Sequence, residues 1–160
     1  MSAAVVTGLG YDCHRFAAGR RLVLGGIELS HDRGLAGHSD ADVLTHAIID
    51  ALLGAAALGD IGQHFPDTDA RYRDADSISL LRATVALLTR NGASVLHVDA
   101  TVVIERPHVA PVREQIRASL AEALGVSLDA VSVKATRGEE MGFVGREEGA
   151  AALAVATVRR

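Results

Sequence analysis

The sequence is short of rings, thiols and surplus positive charge. Tryptophan is absent, and two Tyr and three Phe make up only 3% of 160 residues. A stacking platform for single-stranded nucleic acid is thereby excluded. Lys and Arg total 16 against 20 Asp and Glu, a formal net charge of −4, so the chain has no basic nucleic-acid footprint. The single cysteine, Cys13, excludes an internal disulfide framework and a Cys-based zinc knuckle, and it suits a reducing, cytoplasmic setting. No apolar run reaches the length of a membrane span. The longest, Ala51 to Gly59, lies between Asp50 and Asp60. The N-terminal MSAAVVTGLGYD lacks a basic region followed by a long apolar stretch and does not read as a secretory signal. Proline occurs only at positions 66, 107 and 111, and no linker, repeat or low-complexity tract divides the chain.

What is present is aliphatic. Hydrophobic residues make up 49% of the chain, so the core must be built from Ala, Val, Leu and Ile. A single domain over residues 1–160 is expected, since a chain of this length buries about two-thirds of its unfolded surface. Seven His in an acidic chain, most of them in the first half, are the first sign of chemistry.

Periodicity predicts the elements. Val5–His14 reads as a strand with Gly8, Gly10, Asp12 and His14 on one face, which turns Cys13 to the other, where a small buried residue is expected. Arg21–Leu24 and Ile27–Leu29 around Gly25-Gly26 read as a two-residue hairpin. Ser39 starts a helix, with Asp42 completing a capping-box pattern. Val43, Leu44, Ala47, Ile48, Ala51, Leu52 and Ala55 supply its apolar stripe. A second helix spans Asp76–Asn91, and a strand Val95–Glu105 carries Val98, Ala100, Val102 and Ile104 inward. A third helix begins around Pro111 and ends at Gly125. Val131–Thr136 and Gly149–Val158 are the last strands. Strands and helices mix without strict alternation, which predicts an α+β fold: one mixed sheet packed on helices.

Several constellations could carry chemistry. Asp12 and His14 share a strand face and would make half of a metal site, or simply a polar strand edge. Asp42, His46 and Asp50 recur every four residues and line the polar face of the first helix. On its own that face is an ordinary solvated one. An Asp, His, His trio with an open fourth position would suit Zn²⁺, with Asp42 or Asp50 as a group behind the ligands. His38 and Ser39 lie at the predicted helix N-terminus, where free N–H groups attract phosphate, although Ser39 acting only as N-cap explains the same residues. The loop from Gly59 to Asp69 is acidic and glycine-containing and could bind polyols or cations, although loops rich in Asp and Gly are usually just turns. Lys134 to Arg146 forms a strand-to-loop junction whose Gly, Thr, Lys and Arg could cradle phosphate, with Glu139 holding a divalent cation. Gly8-Leu9-Gly10 lacks the third glycine of a dinucleotide fingerprint, and neither a P-loop nor an HExxH helix occurs.

Five segments in one order resemble the 2-C-methyl-D-erythritol 2,4-cyclodiphosphate synthases, cyclases of the non-mevalonate isoprenoid pathway. They are Gly10-Tyr11-Asp12-Cys13-His14, Gly37-His38-Ser39-Asp40-Ala41-Asp42 through His46, Asp50 to Gly62, Phe65-Pro66-Asp67-Thr68-Asp69, and Gly145-Arg146-Glu147-Glu148-Gly149. The resemblance spans essentially the whole chain. It implies a homotrimer with active sites between subunits, and an intramolecular phosphoryl transfer that releases CMP.

It further implies zinc, or another divalent metal, on Asp12, His14 and His46, and a substrate-contacting pair at His38 and Ser39. The methylerythritol part would lie on Asp60, Ile61 and Gly62 and on Phe65, Pro66, Asp67, Thr68 and Asp69. A cytidine pocket from the neighbouring subunit falls on Ile104, Glu105, Arg106, Pro107, His108, Val109 and Ala110 and on Thr136, Arg137, Gly138 and Glu139. Glu139 would hold Mg²⁺ or Mn²⁺ against the diphosphate. Phe143 and Arg146 would lie near the trimer axis, where an isoprenoid phosphate could sit.

Two departures stand out. Arg137-Gly138 replaces the usual Thr-Thr, so a guanidinium stands where the family has a hydroxyl against the transferring phosphoryl group. Arg137 could serve that group electrostatically, since arginine binds phosphate bidentately, or it could block the pocket. His108 replaces a Lys near the nucleotide. A non-catalytic trimeric binder of nucleotide or isoprenoid phosphate, and a metal-dependent phosphohydrolase, are the rival readings.

Overall fold

The computed structural model describes residues 4–160. The alternation of the N-terminal segment forms β1 (Val5–Ala18), whose even-numbered residues from Val6 to Phe16 turn inward. It runs four residues beyond the expected end because its last residues pair with a later strand. The hairpin forms as expected, with β2 (Leu22–Leu24) and β3 (Ile27–Leu29) around Gly25 and Gly26. Their φ values of 56° and 77° give the doubly left-handed turn that matches strand twist. β4 (Arg33–Leu35) then pairs antiparallel with the end of β1.

The first long helix, α1 (Val43–Ala56), starts three residues later than the Ser39 capping pattern predicts. Ala41 lies in the left-handed region, with φ of 57°, so no helix can run through it. Asp42 is the N-cap. Its carboxylate accepts from Thr45 N at 3.0 Å and Thr45 Oγ1 at 2.8 Å, and from the hairpin N–H groups of Gly25 at 2.9 Å and Gly26 at 2.8 Å. One buried carboxylate thus closes two segments at once, which a serine hydroxyl cannot do. The expected phosphate-attracting N–H groups at Ser39 do not exist there.

After α1 come the short turn α2 (Ile61–His64) and α3 (Ser77–Arg90), the latter capped by Asp76 and ended by Asn91. β5 (Ser94–Val103) leads through α4 (Arg113–Leu124) to β6 (Val131–Thr136), with Gly125 in the left-handed conformation after α4. The turn α5 (Gly142–Gly145) precedes β7 (Gly149–Arg159). The sheet order is β4-β1-β7-β5-β6, with only β5 and β6 parallel. This is the expected α+β architecture: helices cover one face of a mixed sheet. No helix among the described residues is long and apolar enough to cross a membrane.

The covered face is made of small residues. Gly8 and Gly10 on β1 lie beside Ala150, Ala152, Ala154 and Ala156 on β7, and α1 packs directly on both strands. A Cβ added at Gly10 would lie 1.9 Å from the Ala47 carbonyl oxygen, so only glycine admits the helix this closely. The face that sequence periodicity makes polar, Asp42 and His46, is therefore buried and not solvated. Asp42 is fully buried and His46 is 8% exposed, because α1 is enclosed by the hairpin and α3 as well as the sheet.

Among the described residues no helix covers the opposite sheet face. Leu9, Tyr11, Leu153 and Val155 are exposed there, at 67%, 53%, 41% and 40%. Cys13 shares that face and is exposed, not buried as expected. Its outward direction was legible from the alternation, but the single chain leaves that side uncovered.

Candidate metal centre and substrate cleft

Asp12, His14 and His46 meet where α1 crosses the end of the glycine-bearing part of β1. Their ligating atoms all lie within 4.8 Å of one another. Asp12 Oδ2 is 2.8 Å from His14 Nε2 and 3.1 Å from His46 Nδ1, and the two ring nitrogens are 3.2 Å apart. The outer nitrogens are occupied elsewhere. His14 Nδ1 donates to the Ala36 carbonyl at 2.8 Å, and His46 Nε2 faces the hydroxyls of Ser77 at 2.8 Å and Ser39 at 3.1 Å. With both rings neutral and those outer nitrogens protonated, each imidazole turns a lone pair toward the carboxylate, and the three acceptors fit a divalent cation; the nitrogen and oxygen set suits zinc. In the metal-free chain a proton taken up by either ring bonds to Asp12 in its place.

The electrostatics agree. Burial pushes the Asp12 carboxyl up, but hydrogen bonds and charge from His14 and His46 outweigh it and bring the pKa down to about 2. Burial pulls the His14 imidazole down, yet the Asp12 hydrogen bond and charge, with the Ala36 carbonyl, leave it above its usual value. A site that draws a proton this way also draws a metal ion.

The other acids on α1 stay out of the cluster. Asp42 is spent on the cap and hairpin. Asp50 accepts from Ile61 N at 2.8 Å and ties α1 to α2. Burial, then the nearby Asp60 and Asp12 charges, raises its carboxyl despite that bond.

The cluster opens into a cavity of about 390 Å³ lined by Gly37, His38, Ser39, Ile61, Gly62, Phe65, Asp67, Tyr72 and Leu80 as well as the three ligating residues. The structure thus brings His38, Ser39, Ile61, Gly62, Phe65 and Asp67 to one cleft. Asp60, Pro66, Thr68 and Asp69 do not line it. Asp60 caps α2 through Gln63 N at 3.0 Å, and Asp69 binds Arg71 while its carbonyl receives His38 Nε2 at 3.0 Å. Tyr72 and Leu80 were not foreseen. Tyr72 meets Phe65 edge to face at 5.4 Å, a contact that depends on the loop returning upon itself.

A second cavity, of about 300 Å³, is lined by Ile104, Pro107, His108, Val109, Ala110, Thr136, Arg137 and Glu139, together with the unforeseen Arg113 and Ala135. Arg137 Nη2 lies 3.4 Å from Glu139 Oε1. Glu105, Arg106 and Gly138 are adjacent in sequence but not in the lining. Glu105 is buried and accepts from Gly138 N at 2.8 Å and Glu140 N at 3.4 Å. It braces a loop in which Glu139 and Glu140 hold φ of 51° and 63°. Gly138 packs on Gly145, and Arg106 pairs with Glu147 at 3.4 Å. Within one chain the two cavities share no lining residue. A shallower, largely apolar hollow of about 250 Å³ on the uncovered sheet face includes Cys13, Arg15 and Phe143, while Arg146 turns to Glu148 at 3.0 Å.

Comparison with known proteins bears on all of this. The YgbB family model matches residues 5–159. The chain is 59% identical over 152 residues to the 2-C-methyl-D-erythritol 2,4-cyclodiphosphate synthase of Salinibacter ruber, across 95% of this chain and 97% of that protein. It is similar in structure to the bifunctional IspDF from Campylobacter jejuni, with a TM-score of 0.95 and 37% identity over 99% of this chain, which spans 43% of that longer one. A 2C-methyl-D-erythritol-2,4-cyclodiphosphate synthase solved in a CDP-bound form matches with a TM-score of 0.87 and 34% identity, over 95% of this chain and 99% of that one. The match runs from the first residue of β1 to the last of β7, and includes the strand and helix that supply Asp12, His14 and His46. The chain belongs to the YgbB family.

Proposed function

We propose that this protein is an enzyme that makes 2-C-methyl-D-erythritol 2,4-cyclodiphosphate in the non-mevalonate pathway. Its substrate is 4-diphosphocytidyl-2-C-methyl-D-erythritol 2-phosphate. An oxygen of the 2-phosphate forms a bond to the β-phosphorus, the bond from that phosphorus to the bridging oxygen breaks, and CMP leaves with the electron pair. No water is consumed, which makes the enzyme a cyclising phosphorus–oxygen lyase. The observation that carries this reading is the convergent Asp12–His14–His46 donor set in the wall of a cleft lined by both polar and apolar side chains, in a chain of this family.

Asp12, His14 and His46 would hold zinc, and Glu139 would hold Mg²⁺ or Mn²⁺ with the diphosphate; bound there, these ions supply Lewis-acid charge neutralisation. The remaining work belongs to the chain. The Ser39 hydroxyl and the His38 ring offer polar contacts to the phosphates at the cleft. Asp67 accepts hydroxyls of the polyol while Phe65, Tyr72 and Leu80 wall in its methyl-bearing carbon. Folding a flexible polyol so that nucleophile and leaving group lie in line is worth roughly 7–11 kcal/mol in well-oriented intramolecular reactions. Thr136, His108 and Arg137 would receive the cytidine diphosphate, with Arg113 as a second guanidinium in the same cavity.

The assembly is a homotrimer in this reading. The uncovered apolar sheet face supports it, and so does the separation of cleft and nucleotide cavity within one chain, which a neighbouring copy would close. An isoprenoid phosphate would occupy the hollow beside Phe143 and Arg146, and the single exposed Cys13 suits a cytoplasmic setting. Incubating purified protein with substrate, Zn²⁺ and Mg²⁺ and identifying products by mass spectrometry tests the function. Cyclic diphosphate plus CMP is expected. Methylerythritol 2,4-bisphosphate plus CMP, formed with uptake of one water, would instead identify a phosphohydrolase, and unchanged bound substrate a binder without turnover.

A further inference from the structure

We infer that Ser77 and Asp40 are positioning residues for the metal site: a carboxylate–hydroxyl–imidazole chain that locks His46 as its Nε2–H tautomer and leaves the Ser39 hydroxyl hydrogen free for the cleft. The inference rests on the proposed metal reading and adds two residues to it.

The chain follows from counting hydrogens. Asp40 grips Ser77 with both carboxylate oxygens: Oδ2 accepts the Ser77 N–H at 3.0 Å, and Oδ1 accepts the Ser77 hydroxyl. Asp40 Oδ1 also accepts Asp42 N–H at 3.1 Å, so the carboxylate itself is fixed by the backbone. A serine hydroxyl has one hydrogen, and here it is committed to Asp40. Toward His46 Nε2, 2.8 Å away, Ser77 Oγ can therefore only accept. That nitrogen must carry the proton. Nδ1 is left with its lone pair, 3.1 Å from Asp12 Oδ2 and 3.2 Å from His14 Nε2, where a metal ion would take it up.

Without Asp40 the Ser77 hydroxyl could turn and donate to Nε2, which would favour the other tautomer and put a proton in the metal position. The carboxylate removes that option, and through the hydroxyl it also makes the imidazole a stronger donor to a cation. Ser39 benefits as well. Its Oγ lies 3.1 Å from the same His46 nitrogen and accepts Ala41 N–H at 3.2 Å, so with the proton on that nitrogen the Ser39 hydroxyl hydrogen has no acceptor among the described residues. Ser39 lines the cleft; Ser77 is fully buried and does not. The two serines thus divide their tasks, one holding the ligand and the other facing substrate.

Ser77→Ala tests this without adding an atom and keeps the backbone N–H on Asp40. Zinc affinity, measured by competition with a chromogenic chelator, is expected to fall by roughly 10–100-fold, the usual effect of losing the partner behind a ligating imidazole. Asp40→Asn is expected to fall in the same direction. Ser79→Ala is the control: it removes the 3.0 Å bond to Asp76 in the same helical turn without touching His46, and should bind zinc as the wild type does. In zinc-loaded protein labelled with ¹⁵N-histidine, the His46 Nε2 proton should give a downfield, slowly exchanging resonance that moves upfield or exchanges out in Ser77→Ala. Loss of a merely structural contact would not change that signature. Affinity within twofold of wild type in Ser77→Ala, or an Nδ1–H tautomer for His46 in the loaded wild type, would overturn the inference. If Ser77→Ala does not fold, Asp40→Asn and the wild-type spectrum decide. Wild-type protein that takes up no stoichiometric zinc would overturn both this inference and the metal reading beneath it, whereas normal wild-type uptake with an unaffected Ser77→Ala would overturn this inference alone.

Discussion

Gly10→Ala should empty the metal site from a position that touches no ligand. The new Cβ would stand 1.9 Å from the Ala47 carbonyl oxygen and 2.7 Å from Ala51 N, both backbone atoms of α1. Real Cβ contacts essentially never fall below 3.0 Å, so the helix must retreat by about 1 Å at this point. No side chain can rotate away to absorb the clash. The expected destabilisation is about 1–3 kcal/mol, toward the upper end, as for overpacking in a rigid core. His46 precedes Ala47 on the helix, and Asp12 lies two residues along the strand from Gly10. A retreat of that size separates His46 Nδ1 from Asp12 and His14, whereas metal–ligand distances tolerate only about 0.2 Å. A three-donor site becomes a two-donor one.

The assay is zinc stoichiometry by mass spectrometry of the metal, with thermal unfolding on the same samples. Gly54→Ala supplies the comparison on the same helix. Nothing lies within 4 Å of a Cβ added there, so it should bind zinc normally and gain roughly 0.5–1 kcal/mol from helix propensity. A Gly10→Ala protein with a full zinc equivalent and wild-type turnover would refute the reasoning that close helix–strand approach sets the ligand geometry.

Three further outcomes are expected. In metal-free protein the raised His14 contributes stability that is full below about pH 6.5 and is lost as pH rises through its folded value; the Asp12 contribution holds above about pH 4 and is lost as pH falls through about 2. Melting in EDTA should therefore drop as pH rises above about 6.5 relative to a His14→Gln reference, and an equal or rising difference would contradict the pairing. Leu9→Glu on the uncovered sheet face should convert a trimer to monomers in sedimentation and abolish turnover, since each fully buried leucine is worth about 1.5–3 kcal/mol; a trimer that persists would remove this face from the interface. Glu105→Ala leaves the N–H groups of Gly138 and Glu140 without their acceptor, so CDP affinity should fall while zinc content stays at the wild-type level; unchanged CDP binding would show that the loop holds its shape unaided.

The parts of the fold legible in the sequence were those with a period. The inward set on β1, the stripe of α1, the boundaries of α3 and the glycine ends of the hairpin and α4 all follow from local rules. β4 escaped because three residues, one of them Gly34, carry no alternation. The start of α1 was misplaced for a physical reason: Asp42 serves the helix and the hairpin together, and a bond to Gly25 seventeen residues away has no local signature. The same holds at the site. Asp12, His14 and His46 could be proposed from spacing, since Asp12 and His14 share one face of β1 and His46 stands on the face of α1 that spacing makes polar. Which acids on α1 would join them could not, because Asp42 and Asp50 have the same spacing and differ only in what they meet in three dimensions. Ser77 and Tyr72 had no signal at all; both reach the site through loops that return to it.

The scarcity of aromatic residues and the abundance of alanine have one cause. A helix that must deliver His46 to within hydrogen-bonding distance of two side chains on a strand has to lie almost on the strand's backbone. That requires glycine at positions 8 and 10 and alanine along β7, and it leaves no room for rings in the layer between. The few rings stand elsewhere. Phe65 and Tyr72 wall the cleft, Tyr11 and Phe143 lie exposed on the bare side of the sheet or at its edge, and Phe16 packs near the β4 end. The composition is thus the imprint of a close backbone approach that brings Asp12, His14 and His46 together.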